Sequence, residues 1–317
     1  MKHNAIARII IWSIVIVLIL GILASFLLGR MTFTSLIRGE PAQTWPLESQ
    51  VSLTAQTQPS PTRPAQETTL SSEPQKTESA AADGVVTVPA EGIRELEINW
   101  VSGNILIQTA DVTEIQITES GAANADCVMQ VQTRGEKLSI AFSKGTEKFL
   151  GFGLHGELSK DLTITVPQNW ECQDLEIDVA SATVDVQNLT VWDLEFNGAS
   201  GECNFTDCTV DSLDVNTASG DVYFTGRLRD FDCEAASASI YANLSIVPEE
   251  MDLETMSGLM DITLPEDAGF TVSMESMKAS FSSEFDTTTQ GNRYVCGDGQ
   301  CKISVESISG EVILRKG

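Results

Sequence analysis

A unit of about nineteen residues recurs along the chain, and it constrains the fold more than any other feature. The segment Asn216–Phe224 reads NTASGDVYF, the segment nineteen residues earlier reads NGASGECNF, and the one before that reads DVASATVDV. The first apolar residue of each unit recurs every 18 to 20 residues, at Leu175, Leu194, Leu213, Phe231, Met251 and Phe270. Leu96 and Ile115 are also nineteen residues apart, and a last copy occupies Ile303–Leu314. A fixed period of this length predicts a repeat architecture.

Within each unit, apolar and polar residues alternate, which is the pattern of half-buried β-strands. A serine follows most of the first apolar residues by six positions, and the next residue is mainly Gly or Ala. These serines are Ser102, Ser181, Ser200, Ser219, Ser237, Ser257, Ser276 and, in the last copy, Ser309. Glycine suits a stacked corner because φ can be positive there and because no Cβ obstructs the neighbouring corner. Each unit is therefore predicted to contain a strand, a tight Ser-Gly turn, a second strand and a return loop.

Such units can bury their apolar residues only by stacking on one another, about 4.8 Å apart. The sequence thus predicts an all-β, β-solenoid or β-helix-like domain with about 19 residues per coil. An antiparallel meander of hairpins is the alternative, since it also places turns at this spacing. A meander would not require the same apolar positions to recur in every unit, so the solenoid is the favoured interpretation.

An uncharged run of twenty residues near the N-terminus, residues 9–28, is long enough to cross a bilayer core of about 30 Å as a helix. Lys2 and Arg8 precede it, which favours a cytoplasmic N-terminus. We expect residues 1–8 to be a cytoplasmic head and the run to be a single transmembrane anchor in the plasma membrane, with the rest of the chain outside. A cleaved signal peptide is the alternative, although the run is longer than a typical signal core and no clean small-x-small site follows it before Arg30.

After this run the composition changes. Residues 40–83 contain six of the ten prolines and are rich in Gln, Ser, Thr and Ala. Because such a segment has too few apolar residues to order itself, residues 29–83 are predicted to form a disordered stalk, and residues 84–317 the repeat domain. A stalk of this kind holds a domain away from the membrane.

The predicted repeat domain is strongly acidic. It contains thirteen basic and thirty-nine acidic residues and so carries the whole formal net charge of −26. A surface of this charge repels phosphate backbones, which argues against nucleic acid as a partner. It is also poorly suited to the acidic polysaccharides that several β-helix enzymes cleave.

An anchor, a polar stalk and then units such as LEFNGASGECNF, LDVNTASGDVYF, LETMSGLMDITL and ISVESISGEVIL resemble the bacterial putative-adhesin family, whose members are membrane-anchored β-strand-repeat domains of unknown function. The resemblance covers about residues 84–317. It implies a β-helix-like fold and an extracytoplasmic location, and some relatives sit beside envelope-stress systems. It supplies no catalytic residues.

Stacking would align the residue after the first apolar position of each unit in an outward row of carboxylates. These residues are Glu176, Glu195, Asp214, Asp232 and Asp252. Like charges at this spacing repel, so either water solvates them or a divalent cation bridges some of them. The sequence lacks both the glycine-rich nonapeptide of calcium-binding β-rolls and an EF-hand loop. The solvated face, with no metal or cofactor, is the favoured interpretation, and structural Ca²⁺ is the alternative.

The seven cysteines fall into different environments. Cys203, Cys208 and Cys233 occupy positions where other units hold apolar residues, so they are expected to be small buried hydrophobic residues. Cys296 and Cys301 flank a glycine-rich turn, CGDGQC, and are candidates for a hairpin disulfide in an oxidising compartment.

The sequence shows no catalytic constellation. Residues 151–156, GFGLHG, fit the pattern G-x-G-x-x-G, but a strand pattern follows where a dinucleotide site requires a helix. His155 has no Ser or Cys partner at a motif spacing. The corner serines recur in many copies without a basic partner, whereas a nucleophile is normally singular and lies beside a base.

These observations predict a non-catalytic binding, adhesion or scaffold module of the bacterial cell envelope. Its partners would be the membrane, through residues 9–28, and a cell-wall or host-surface ligand or an envelope membrane protein. An accessory regulator of an envelope-stress signalling system is the alternative. A polysaccharide-active enzyme is a third hypothesis, which the acidic charge disfavours.

Overall fold

The structure is a computed structural model that describes residues 78–79 (backbone only), 85–121, 128–142, 159–276 and 278–317. The predicted head at 1–8, the anchor at 9–28 and all but two residues of the stalk at 29–83 lie outside these ranges, as does Gly84. Among the described residues, no helix has the length and apolar character that a membrane crossing requires.

Eighteen strands account for most of the described residues. The first nine are β1 (Glu78–Ser79), β2 (Val85–Pro89), β3 (Glu95–Ala110), β4 (Glu114–Ser120), β5 (Gln130–Arg134), β6 (Lys137–Ala141), β7 (Asp161–Pro167), β8 (Glu171–Gln187) and β9 (Thr190–Ser200). The others are β10 (Cys203–Ser219), β11 (Val222–Ser237), β12 (Ile240–Leu244), β13 (Glu250–Leu264), β14 (Phe270–Ser276), β15 (Ser280–Ser283), β16 (Thr288–Gln290), β17 (Arg293–Cys296) and β18 (Cys301–Lys316).

The repeat units from β8 to β13 stack in parallel and in register. Leu194 pairs with Leu175 on one side and with Leu213 on the other. Phe231 likewise lies between Leu213 and Met251. Parallel in-register stacking is the arrangement of solenoid coils and excludes the meander for these units, because successive hairpin strands would be antiparallel.

Each coil contributes to two columns of strands, the first before its Ser-Gly corner and the second after it. Alternate side chains of both columns point inward and form one hydrophobic core, in which Ile177 and Val184 are both 0% exposed. Cys203, Cys208 and Cys233 lie in this core, as predicted, and each is at most 1% exposed.

The Ser-Gly corners also stack in register, from Ser102 beside Ser181 to Ser257 beside Ser309. The strand ladder continues through several corners, so β8 and β13 bend there rather than ending in a separate turn. The return segment is not simply a loop either, since β10 runs from the second column through the return segment into the next coil.

The order of coils at the C-terminal end differs from the order in the sequence. Strand β18 lies between β13 and β14, because Ile303 pairs with Met251 on one side and with Val272 on the other. Phe270 is therefore two positions out of the predicted alignment, and Ser276 pairs with Ser307. A shift of two residues preserves which side chains face the core, so the apolar pattern alone did not reveal it.

At the N-terminal end, β3 likewise lies between strands that do not adjoin it in the sequence. It pairs with β8 on one side and with β6 and β7 on the other. Ile115, which is nineteen residues after Leu96, does not begin a parallel coil: it lies in β4, which pairs antiparallel with β2 and β7. Antiparallel pairs thus occur at both ends of the stack. At the C-terminal end, β17 pairs antiparallel with β14 and with β16.

The predicted hairpin disulfide does not form in this arrangement. Phe270 of β14 pairs with Cys296 on one side and with Cys301 on the other, and both cysteines are free. Two strand spacings separate them, roughly 9.6 Å, whereas the Cα atoms of a disulfide lie within about 7 Å. The glycine-rich turn reaches across β14 instead of closing a simple hairpin.

Candidate functional site

The five carboxylates predicted to form a row do align on the outward face of the first column. Successive parallel pairings join Glu176 to Glu195, then Asp214, Asp232 and Asp252. Glu97 of β3 extends the row at its N-terminal end. Two positions further along each strand, a second row contains the residues Asn99, Asp178, Asn197, Asn216, Glu234, Glu254 and Glu306. We call these two rows together the acidic face.

In the N-terminal half of the acidic face, lysine and asparagine side chains contact the carboxylates. Lys137 of β6 lies 3.0 Å from Glu97 and 3.5 Å from Glu176. Partial burial acts to raise the pKa of Glu97, but hydrogen bonds from Lys137 and Ser139 outweigh it and the pKa is lowered. The side chain of Asn197 donates to Asp178 at 3.0 Å and belongs to the same second row.

The amide of Asn197 also donates to Glu195 at 2.8 Å, and the amide of Asn216 donates to Asp214 at 2.8 Å. Asparagine in the second row therefore binds carboxylates of both rows. This pattern ends at β11, where Glu234 replaces asparagine at the same position.

In the C-terminal half, acidic residues surround one another instead. Partial burial, followed by the charges of Asp214 and Asp252, raises the pKa of Asp232 to about 6. Burial and the neighbouring carboxylates likewise raise the pKa of Glu234 to about 7 and that of Glu254 to about 7. Within the described residues, Asp252 Oδ1 is buried and accepts no hydrogen bond. Unpaired negative charge is thus concentrated here.

A cleft of about 750 Å³ opens beside this half of the acidic face. Its apolar lining comes from Phe231, Val247 and Pro248. Its charged lining consists of Asp230, Asp232, Glu249, Glu250, Asp252 and Lys302. Lys302 approaches Glu250 at 3.8 Å, and Arg229 pairs with Asp230 and Glu249 at 3.1 and 3.6 Å. These two cations offset part of the negative charge, while Asp232 and Asp252 remain without a basic partner in the described part of the chain.

The described ranges contain no group of three or more His, Cys, Asp or Glu side chains placed to hold a metal ion. The ladder spreads its carboxylates along a line, one per coil, whereas Ca²⁺ requires six to eight oxygen ligands converging on one point. The structural calcium hypothesis therefore gains no support from the geometry of the row.

Other residues that the sequence raised are placed as follows. His155 and the glycine pattern at 151–156 lie outside the described residues. The corner serines from Ser102 to Ser257 and Ser309 stand in one row along the stack, whereas Ser276 lies two positions out of it. Ser200 Oγ, for example, donates to the carbonyl oxygen of Ala180 at 3.5 Å. That contact fits a turn residue.

Two features of the site escaped sequence reasoning. Lys137 lies far from the acidic residues in sequence, and only the parallel pairing of β6 with β3 brings it to Glu97. Lys160 and Glu119 form a buried ion pair at the N-terminal end of the core. The sequence did contain a signal for this ion pair, because the alternation Ile115-x-Ile117-x-Glu119 places the carboxylate on the same inward side as the two isoleucines.

Comparisons with known proteins found a family match and similar solved structures. Residues 93–228 match the family Toastrack DUF4097. No curated protein matches the chain. A crystal structure of a putative cell adhesion protein from Clostridium sporogenes ATCC 15579 is similar at 11% identity and TM-score 0.28, covering 77% of this chain and all of that one. A putative adhesin from Bacteroides fragilis NCTC 9343 is similar at 16% identity and TM-score 0.39, covering 73% and 98%.

The family match spans β3 to β10 and the start of β11, including the first half of the acidic face. It supports the resemblance to a putative-adhesin family of unknown function that the repeat units show.

Proposed function

We propose that this protein is a non-catalytic binding module of the bacterial cell envelope, held at the plasma membrane by residues 9–28. The acidic face and the adjoining cleft form its binding surface. The partner is a cationic segment of an envelope or host-surface macromolecule. The observation that carries this proposal is the unpaired cluster at the C-terminal half of the acidic face, where Asp232 and Asp252 border the cleft.

Electrostatics favour such a partner. The repeat domain carries the whole charge of −26, so a basic segment is attracted over the distance that salt screening allows. Binding would also relieve the mutual repulsion that raises the pKa of Glu234 and Glu254. Val247, which is partly exposed, offers an apolar contact that charge alone does not supply.

The test is binding of a lysine-rich peptide to the full chain, compared with a glutamate-rich peptide of the same length, by isothermal titration calorimetry at two salt concentrations. The double variant Asp232→Asn/Asp252→Asn is expected to weaken binding about tenfold or more, because it removes two charges at the contact. The matched control is Glu114→Gln/Glu136→Gln, which changes the net charge equally but at exposed positions of the N-terminal set. Equal losses in both double variants would show a general charge effect and remove the binding surface from the proposal.

The regulatory alternative is separated by a genetic measurement. If deletion of the gene changed envelope-stress signalling while Asp232→Asn/Asp252→Asn left it normal, the role would lie outside the acidic face. Turnover of any glycan by the purified chain would contradict the non-catalytic assignment.

A further inference from the structure

Two charged side chains point into the N-terminal end of the core. Strands β4 and β7 are antiparallel, with Glu119 opposite Leu162. Ile117 in β4 and Leu162 in β7 are buried, at 0% and 1% exposure. Because side chains alternate along a strand, Glu119 lies on the same core side as Ile117, and Lys160 on the same side as Leu162.

The environment of Lys160 is almost free of water. The residue is 2% exposed, and its Nζ contacts Oε1 of Glu119. Nζ also donates a hydrogen bond to the carbonyl oxygen of Phe142 at 2.7 Å. It lies 3.9 Å from the ring centre of Phe142 and 5.0 Å from that of Trp100. The indole of Trp100 donates to the Lys160 carbonyl at 2.9 Å, so the backbone of the lysine is fixed as well.

The two oxygens of Glu119 are held differently. Oε2 accepts a hydrogen bond from the backbone N–H of Met129 at 3.2 Å. Oε1 is buried against the lysine Nζ and, within the described residues, has no partner that satisfies hydrogen-bond geometry. A buried ion pair requires good geometry and further hydrogen bonds to offset its desolvation, and Oε1 lacks them. The two side chains therefore meet directly in a site that is closed to water.

We propose that Lys160 and Glu119 condense to an intramolecular amide that cross-links β4 to the residue preceding β7. One proton first passes from Nζ to Oε1 within the contact. The lone pair of Nζ then attacks Cδ of Glu119, and the developing negative charge on Oε2 is held by the Met129 N–H. A proton passes from Nζ to the departing oxygen, the bond from Cδ to that oxygen breaks, and one water leaves. No oxidant, reductant or added reagent is needed.

Proximity and burial together make this step favourable. Effective molarities of well-oriented groups reach about 10⁵ M or more, which exceeds the concentration of water that opposes amide formation. The product carries no charge, so the desolvation cost of the ion pair disappears. The cross-link fastens β7 to β4, which in turn pairs with β2, the strand that follows the predicted stalk. The inference does not depend on the proposed binding surface.

Mass spectrometry of the full chain tests the bond. The denatured, cysteine-reduced protein is expected to be lighter than its sequence by one water. Trypsin should fail to cleave after Lys160 and should release a branched peptide that joins residues 95–134 to residues 149–227. A mass equal to that of the sequence, with normal cleavage after Lys160, would overturn the proposal.

The chain supplies its own matched control. Lys137 lies 3.0 Å from Glu97, but these side chains are 36% and 28% exposed, so water stabilises the ion pair and no amide is expected. A cross-link found at Lys137 as well would mark a preparation artefact and count against the assignment to Lys160. The variant Lys160→Arg keeps the charge and should show the full sequence mass. If this variant does not fold, the peptide map of the unmodified sequence still decides between bond and ion pair.

Discussion

Gly220 stacks directly on Gly201, so closely that a Cβ on Gly220 would overlap the carbonyl oxygen of Gly201. The same relation joins Gly201 to Ala182 and Gly310 to Gly258. Gly220 also has a φ of +130°, in the left-handed region that residues with a Cβ rarely adopt. The corner thus excludes larger residues twice, through its own conformation and through the neighbouring coil.

The variant Gly220→Ala should therefore lower the free energy of unfolding by about 2–4 kcal/mol, as backbone strain and a clash with main-chain atoms combine. Urea unfolding followed by circular dichroism measures this. The control is Gly92→Ala, where φ is +85° but no atom lies within 4 Å of the added Cβ. A loss no larger than that of Gly92→Ala would contradict the role assigned to coil stacking.

The raised pKa values on the acidic face predict that the protein becomes more stable as the pH falls below neutrality. The pKa values of about 6 for Asp232 and about 7 for Glu234 and Glu254 exceed the ordinary 3.8 and 4.5. At pH values between the ordinary and the raised pKa of each group, the folded state binds more protons than the unfolded state. The free energy of unfolding therefore rises as the pH is lowered from roughly 8 to 5. Thermal unfolding at constant ionic strength, from pH 8 to pH 5, measures the slope.

The double variant Glu234→Gln/Glu254→Gln should flatten this dependence, because it removes two of the raised pKa values. Glu97→Gln serves as the control, since the pKa of Glu97 is lowered and its contribution is lost only below its ordinary value of 4.5. A melting temperature that falls steadily between pH 8 and pH 5 would show that the mutual repulsion is too weak to matter.

Added salt should stabilise the domain through screening, with no preference for calcium. The carboxylates of the acidic face repel one another, and ions shorten the range of that repulsion to about 10 Å at 0.1 M. CaCl₂ and NaCl at equal ionic strength are expected to raise the melting temperature equally. A larger increase with CaCl₂, reversed by a chelator, would instead establish a cation site on the row.

Native-state alkylation should distinguish Cys296 from the buried cysteines. Burial raises the pKa of Cys172 and of Cys301 to about 12, and that of Cys208 to about 11, so their reactive thiolates are scarce as well as shielded. Cys296 is partly exposed and is expected to react before these buried cysteines. Digestion and mass spectrometry after timed iodoacetamide treatment give the order. A Cys296–Cys301 disulfide in the unreduced protein would contradict the strand order described above.

Local sequence predicted the features that every coil must satisfy by itself. Alternation placed Leu194 and Leu213 in the core, the corner placed Ser219 and Gly220, and the spacing of the units placed the carboxylates from Glu176 to Asp252 in one row. These predictions held because parallel stacking in register repeats one local solution, so each unit carries the information for its own geometry.

The tertiary structure decided what depends on pairing between distant segments. It inserted β18 between β13 and β14, put β14 between Cys296 and Cys301, and brought Lys137 to Glu97. Apolar alternation has a period of two, so it fixes which side chains face the core but not which strand lies next to which. The sequence by itself therefore determined the coil, its corner and its acidic row. The order of the terminal strands, and the contacts that depend on it, were set only by the packing of the complete stack.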